Sequence, residues 1–253
     1  MNEASDPQTK RPVIWLLAAA VGVVLAAVLV GLVDAGAARG AVPLLPVVGY
    51  LAVWIPLLAV IVLAVWRFGS GSLRRDLGFG FRPLDLFWGL VVGLLARCVA
   101  VLIEVIVNGR VLSVGGPVVV SDGGPSGVWT MLAPLVWTTI ASVAIAPVIE
   151  ELFFRGVVLR GTAGVLVVRG VSARTVRIAA VGVAGLAFAL VHLIGAGSPA
   201  EAITVGCSTL VLGLGVGALA AATGRLGGAI IAHIVFNGSV FVVVWISALK
   251  PVG

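Results

Sequence analysis

The sequence is poor in charged residues and in cysteines, and each shortage excludes a class of protein. Charged residues make up only 10% of the 253 residues and hydrophobic residues 61%, whereas a typical soluble domain has about 25% charged residues. This balance excludes a soluble globular protein and a disordered chain. The 34 glycines follow no three-residue period, which excludes a collagen, and two cysteines are too few for a disulfide framework. A polytopic membrane protein remains.

The net charge of +6 does not indicate a nucleic-acid partner. The arginines stand singly or in short clusters between apolar runs, which is typical of loops on the inner side of a membrane. The sequence has no basic stripe with interleaved aromatic residues. We therefore expect contact with the lipid bilayer and none with nucleic acid.

Seven apolar runs are long enough to cross about 30 Å of hydrocarbon, which takes roughly 20 helical residues. They are residues 13–33, 43–66, 84–107, 129–149, 178–196, 202–222 and 226–249. The third run contains Asp85 as well as Arg97 and Glu104, which are interpreted as a packing or cavity-lining pair. Glycines and prolines in 108–128 predict an outer loop. The predicted fold class is all-α, a polytopic transmembrane helical bundle of about seven spans.

Basic residues in the short loops predict the orientation, because they resist translocation. With the N-terminus inside, 12 basic residues lie on the inner side and 3 on the outer side. We therefore predict the N-terminus inside and the C-terminus outside. The chain has no internal repeat, so we interpret 1–253 as a single integral membrane domain whose residues 1–76 form two N-terminal spans and an inner loop.

Ionisable side chains inside apolar runs are costly, roughly 2.5–3.5 kcal/mol each, and therefore indicate function. Outside the third run, the candidates are Glu150, Glu151, Arg155, His192 and His233. The two histidines are the only ones in the chain. A cluster of these groups is therefore a candidate site.

The first part of this cluster contains two adjacent acids. Glu151 and Arg155 stand at i,i+4 with the acid first, which is the favourable order for a helical ion pair. Glu150 lies about 100° around the helix from Glu151, so the two carboxylates cannot reach one point unless the helix distorts. Glu150 is then the freer of the two to meet a substrate. A purely structural ion pair remains an equal interpretation of Glu151 and Arg155.

The second part of the cluster pairs each histidine with a neighbour one helical turn away. Phe188 precedes His192, and His233 precedes Asn237. A carboxylate, two imidazoles and an amide supply a general base for water and donors for a tetrahedral oxyanion. If the site instead held zinc, its ligands would be Glu150, His192 and His233, although the sequence lacks His-Glu-x-x-His.

The alternative from another class is a non-catalytic protein, either a binding or immunity module or a transporter-like protein. Transporters often consist of two related halves. Here the ionisable groups concentrate in the second half and no repeated half is present, which disfavours transport.

Three motifs, in this order, resemble those of a known family. Glu-Glu-x-x-x-Arg at 150–155, Phe-x-x-x-His at 188–192 and His-x-x-x-Asn at 233–237 are similar to the motifs of CPBP intramembrane proteases. That family includes CAAX prenyl endopeptidases and bacterial Abi-type relatives. The resemblance implies a protease core at about 77–240 and an endopeptidase that acts on a membrane-associated protein or peptide.

The resemblance also implies a role for each matching residue. It implies four catalytic residues, Glu150, His192, His233 and Asn237, and three that organise the site, Glu151, Arg155 and Phe188. Glu150 would activate the attacking water with His192 beside it. His233 and Asn237 would stabilise the oxyanion. We expect no cofactor, with a divalent metal such as zinc as the alternative.

The ratio of arginine to lysine indicates the kind of organism from which the protein comes. Fourteen arginines against two lysines, with an excess of alanine, valine and glycine, are typical of high-GC bacterial coding. We therefore expect a bacterial plasma membrane, where prenylated substrates are not expected.

Overall fold

A computed structural model describes residues 7–37, 45–109 and 127–248, and every regular element in these ranges is a helix. The helices are α1 (Pro7–Ala37), α2 (Leu45–Val62), α3 (Leu73–Leu77), α4 (Pro83–Asn108), α5 (Gly127–Ile140), α6 (Ala146–Glu151), α7 (Leu159–Val168), α8 (Ala173–His192), α9 (Pro199–Thr223) and α10 (Gly227–Ala248). The predicted all-α class is confirmed. Most of the predicted outer loop, 110–126, lies outside the described residues.

Two π-helical turns join the three helices in the middle of the chain. Ala141–Ile145 connects α5 to α6, and Leu152–Val158 connects α6 to α7. Residues 127–168 therefore form one continuous helix, which we call the rod. Because π turns are rare and are frequently found at functional sites, the short α6 between them is a candidate position for functional residues.

Within the described residues, five helical segments are long and apolar enough to cross a bilayer. They are Arg11–Ala37, Val47–Arg67, Pro83–Asn108, Ala173–His192 and Pro199–Thr223. A shorter apolar stretch, Gly227–Val242, lies in α10. Large apolar side chains are exposed on these helices, such as Leu95 at 62% and Ile106 at 72%, as expected for a surface solvated by lipid. Each predicted run falls on a helix, but α8 ends at His192, short of the predicted end of the fifth run.

Helix α4 packs against α9 and α10, α8 packs against α9, and α1 packs against α2 and α7. Glycines allow the closest of these approaches. A Cβ on Gly89 would lie 2.6 Å from Ile231, and one on Gly93 would lie 2.9 Å from Val235. Small residues at such crossings let membrane helices pack at short distance. The contact fixes α10 against α4 on both sides of residue 233.

Backbone hydrogen bonds fasten the loop before α4 to the start of α10. Leu226 N donates to Gly78 O and Gly227 N donates to Gly80 O, each at 3.0 Å. Gly78 has a φ of +75°, and a Cβ there would lie 2.7 Å from the backbone oxygen of Gly224. Only glycine meets both requirements. The start of α10 is thereby held in register a few residues before the second histidine.

Candidate active site

A buried ion pair lies at the base of the candidate site. Arg155 Nη1 donates to Glu151 Oε1 at 2.9 Å, and both side chains are 0% exposed. Arg155 also donates through Nη2 to Gly213 O at 3.1 Å, and its Cζ lies 4.5 Å from the centre of the Phe188 ring. The i,i+4 pair expected from the sequence is present. Its burial makes each charge depend on the other, because an unpaired buried charge costs several kcal/mol.

His233 extends this pair into a chain of three residues. Its Nδ1 lies 2.9 Å from Glu151 Oε1. Because an ionised carboxylate can only accept, Nδ1 carries the hydrogen and donates. The His233 side chain is only 3% exposed, and its Nε2 lies 3.8 Å from Glu150 Oε2. The chain Arg155–Glu151–His233 therefore fixes both the orientation and the tautomer of this imidazole.

His192 is oriented in a similar way by a backbone group. Its Nδ1 lies 2.8 Å from Phe188 O in the last turn of α8. A carbonyl can only accept, so Nδ1 is again the donor. The Nε2 of His192 then lies 3.8 Å from Glu150 Oε2. At 31% exposure, this side chain is the most open part of the cluster.

Glu150 stands between the two imidazoles. Its Oε2 lies 3.8 Å from the Nε2 of each histidine, too far for a direct hydrogen bond. The atom is buried and has no hydrogen-bond partner in the described part of the protein. Glu150 Oε2 and the two Nε2 atoms are all acceptors when the histidines are neutral. Such a set suits a group that donates hydrogens, or a cation.

The two adjacent glutamates reach opposite edges of one imidazole ring. Glu151 contacts Nδ1 of His233, and Glu150 faces its Nε2. The sequence predicts that two such carboxylates cannot meet at one point in an undistorted helix. In the structure they do not share a point but lie on either side of a flat ring, and the short α6 that carries them has a π turn at each end.

Phe188 forms the apolar centre of the site. Its ring is fully buried, with its centre 4.4 Å from that of His192 and 5.5 Å from that of His233. The ring of Phe154 packs against it edge-on at 5.2 Å. Phe188 therefore contacts both imidazoles and the Arg155 guanidinium, and it keeps water from the ion pair.

Asn237 lies one turn after His233, and its contacts lead away from the ion pair. Its Nδ2 donates to Ser142 O at 2.8 Å, and Ser142 belongs to the first π turn of the rod. Ser142 Oγ in turn lies 2.6 Å from the hydroxyl of Tyr50 on α2. Ser142 and Tyr50 belong to none of the three motifs, so the sequence alone does not point to them. Within the described residues, Asn237 has no direct hydrogen bond to the two histidines or to Glu150.

The side chain of Arg97 joins α4 to α10 near His233 and Asn237, the two site residues of α10. Its Nη2 donates to Phe236 O at 2.8 Å and its Nε to Ser239 Oγ at 3.1 Å. Glu104 is 3.9 Å away, so the packing pair expected from the sequence is a loose ion pair. The shorter contacts of Arg97 are its hydrogen bonds to Phe236 and Ser239, and these hold α10 against α4.

An apolar cavity of about 380 Å³ opens beside the site. Its walls come mainly from α1 and α2, and include Val23, Tyr50 and Leu57. Phe154 and Val191 also line it; the first packs against Phe188 and the second precedes His192. The cavity therefore extends from the lipid-facing helices to the edge of the site.

Glu150, His192 and His233 have side chains of the types that bind zinc, but the distances between them are longer than in a zinc site. Zinc ligands at about 2.0–2.1 Å in a tetrahedron lie roughly 3.3 Å from one another. Here each Nε2 lies 3.8 Å from Glu150 Oε2. Among the residues that the structure describes, no group of three His, Cys, Asp or Glu side chains is close enough to hold a metal ion. Zinc binding would therefore require the three side chains to move closer together.

The fold is that of an integral membrane protein, and the buried cluster has the groups of a hydrolase. Residues 132–239 match the family model described as type II CAAX prenyl endopeptidase Rce1-like. This region is therefore similar to Rce1-like endopeptidases, and the resemblance found in the motifs is confirmed. The family is one of proteases, and the matched region contains all three motifs. No curated protein and no solved structure matches the chain.

Proposed function

We propose that the protein is an intramembrane endopeptidase that hydrolyses a peptide bond of a membrane-associated protein or peptide, with Glu150 as the general base. The observation that carries this proposal is the meeting of Glu150 Oε2 with the Nε2 atoms of His192 and His233, each 3.8 Å away. A water molecule in this space can donate one hydrogen to Glu150 Oε2 and the other to the neutral Nε2 of His192.

In the proposed reaction, Glu150 accepts a proton from this water while the water oxygen attacks the scissile carbonyl carbon. The carbonyl oxygen takes up the electron pair and becomes the oxyanion. Collapse of the tetrahedral intermediate breaks the bond between carbon and nitrogen, and the leaving amine takes the proton from Glu150. General base catalysis of this kind contributes about 10²–10⁴-fold to a rate.

The charges of the cluster support His233 as a donor to the oxyanion. Glu150 and Glu151 carry two negative charges and Arg155 carries one positive charge, so one further proton on the cluster makes it neutral. Because the Nδ1 hydrogen of His233 is already bonded to Glu151, an added proton on this ring lies on Nε2. An Nε2–H in this position faces the space beside Glu150 and can donate to the oxyanion.

Asn237 is proposed as the second donor. Its amide carries two hydrogens, and the bond to Ser142 O uses one of them. The same bond fixes the plane of the amide relative to the rod. The remaining hydrogen is then available to the oxyanion at a fixed orientation.

The apolar cavity is the proposed site for the apolar part of the substrate next to the scissile bond. It is lined mainly by aliphatic side chains and borders on the residue before His192. Its walls on α1 and α2 lie outside the matched region. We also propose the finer topology predicted from the sequence, with about seven spans and the N-terminus inside, in the plasma membrane of a bacterium.

Substitution of Glu150 tests the mechanism. We expect Glu150→Gln to lower hydrolysis of a membrane peptide substrate by about 10²–10⁴-fold, while expression and membrane insertion stay intact. The control variant is Glu201→Gln, since Glu201 is an exposed carboxylate at the start of α9 and should retain full activity. Undiminished proteolysis by Glu150→Gln would rule out Glu150 as the base.

A zinc-dependent form of the same hydrolase is the second candidate. It is favoured by the two Nε2 atoms that face the Glu150 carboxylate, because neutral imidazoles and a carboxylate are zinc ligands. Activity of the purified protein in excess chelator separates the two candidates. We expect activity to persist; its loss, with recovery on adding zinc, would favour the metal.

A further inference from the structure

A second cavity, of about 530 Å³, lies away from the candidate active site, where α4 and α10 begin and α9 ends. Three arginines line it: Arg74, Arg82 and Arg225. The other lining residues are 78–81, before α4, and 223–224, at the end of α9. We call it the arginine cavity.

The arginine cavity has more positive than negative charge. Asp85, which lies near the cavity at the start of α4, is paired with Arg225, whose Nη2 lies 2.7 Å from Asp85 Oδ1. Asp85 also accepts a hydrogen bond from the backbone nitrogen of Arg82. The side chains of Arg74 and Arg82 are exposed and form no ion pair within the described residues. Two guanidinium groups therefore remain to bind an anion.

The surface beside the cavity is apolar and faces outward. Phe81 lines the cavity and is 54% exposed. Leu84 and Trp88 follow at i and i+4 on α4, at 61% and 45% exposed. They belong to Pro83–Asn108, one of the segments apolar enough to cross a bilayer. A basic cavity thus adjoins the first turns of a lipid-facing helix surface.

We propose that the arginine cavity binds the phosphate headgroup of an anionic phospholipid, whose acyl chains lie along Phe81, Leu84 and Trp88. Guanidinium groups bind phosphate oxygens bidentately, which matches the two unpaired arginines. A free phosphate would satisfy the arginines but would make no use of the adjoining apolar surface. Basic pockets between membrane helices are suited to lipid headgroups in this way.

Lipid binding to the full-length purified protein in detergent tests this proposal. The probes are a phosphatidylglycerol and a phosphatidylcholine with the same acyl chains, and binding is measured by native mass spectrometry. We expect the wild type to prefer phosphatidylglycerol. We expect the double variant Arg74→Gln, Arg82→Gln to lose affinity for it by roughly 25-fold, about fivefold for each arginine.

The matched control removes the same charge at another place. Arg169 and Arg174 are exposed arginines at the turn between α7 and α8, and neither lines the arginine cavity. Arg169→Gln, Arg174→Gln should bind phosphatidylglycerol as the wild type does. Equal losses in the two double variants, or no preference for phosphatidylglycerol in the wild type, would overturn the proposal.

Two further measurements separate the remaining outcomes. Inorganic phosphate should compete only weakly with phosphatidylglycerol; full competition at similar concentration would mean a soluble-anion site and would overturn the assignment to lipid. Thermal unfolding verifies that the variants fold, which we expect because the altered side chains are exposed. The single variants Arg74→Gln and Arg82→Gln provide the same test with a smaller change.

Discussion

Replacing Glu151 by glutamine is expected to destabilise the protein strongly, whereas the same substitution at Glu150 should leave its stability almost unchanged. Glu151 Oε1 accepts hydrogen bonds from Arg155 and from His233, both at 2.9 Å, and the side chain is 0% exposed. Glutamine keeps the shape but removes the charge. Arg155, also 0% exposed, is then left without its main countercharge.

Breaking a buried ion pair by removing one partner costs about 3–5 kcal/mol. For a chain of this size, 1 kcal/mol lowers the Tm by about 2–4 °C, so Glu151→Gln should lower it by roughly 6–20 °C. Glu150 Oε2 has no hydrogen bond to lose, and the side chain is 14% exposed. Its replacement by glutamine should therefore change the Tm by less than about 4 °C, within the range of most mild substitutions.

The assay combines thermal unfolding with peptide hydrolysis. Tryptophan fluorescence follows the unfolding of both variants in one detergent, and hydrolysis is measured below the lower of the two Tm values. We expect Glu150→Gln to lose about 10²–10⁴-fold in kcat with a wild-type Tm. An equal decrease in Tm in the two variants, or a Glu151→Gln variant as stable as the wild type, would contradict this prediction.

Two further predictions concern packing around the site. Gly213→Ala should lower stability by about 1–3 kcal/mol and reduce activity. Its Cβ would lie 3.3 Å from Phe188 and 3.1 Å from the Cα of a facing glycine. Gly182→Ala, whose Cβ would meet nothing within 4 Å, is the control and should not destabilise the protein. Tyr50→Phe and Ser142→Ala should each lower the free energy of unfolding by about 1 kcal/mol, because the two side chains share one hydrogen bond of 2.6 Å. A double-mutant cycle should therefore give non-additive losses. Additive losses would contradict this hydrogen bond.

The sequence predicts the all-α class, and it predicts that Glu150, His192 and His233 lie close together, as they do in the structure. Apolar runs of about 20 residues have few alternatives to a membrane helix, because every backbone polar group must be bonded within the helix. The i,i+4 spacing of Glu151 and Arg155 predicts their ion pair from helix geometry alone. The two histidines stand out because ionisable residues in apolar runs are costly.

The remaining features depend on contacts between distant parts of the chain. The π turns at Ala141–Ile145 and Leu152–Val158 leave no signature in hydrophobic periodicity, since both segments are as apolar as an ordinary helix. Ser142 has its role through a backbone carbonyl, which every residue possesses. Tyr50 reaches the site only because α2 packs beside the rod. Sequence spacing cannot reveal these contacts.

The position of the proposed base, Glu150, depends on its neighbour Glu151. Glu150 and Glu151 are joined by one peptide bond, so the bonds from Arg155 and His233 that fix Glu151 also fix the backbone that carries Glu150. The same bond to Glu151 fixes the His233 ring, whose other nitrogen faces Glu150. The distance between Glu150 and His233 is therefore set by one buried network. Within the described residues, His192, which α8 supplies and which is 31% exposed, has no hydrogen bond to that network, so we expect the proposed peptide substrate to enter on the side of His192.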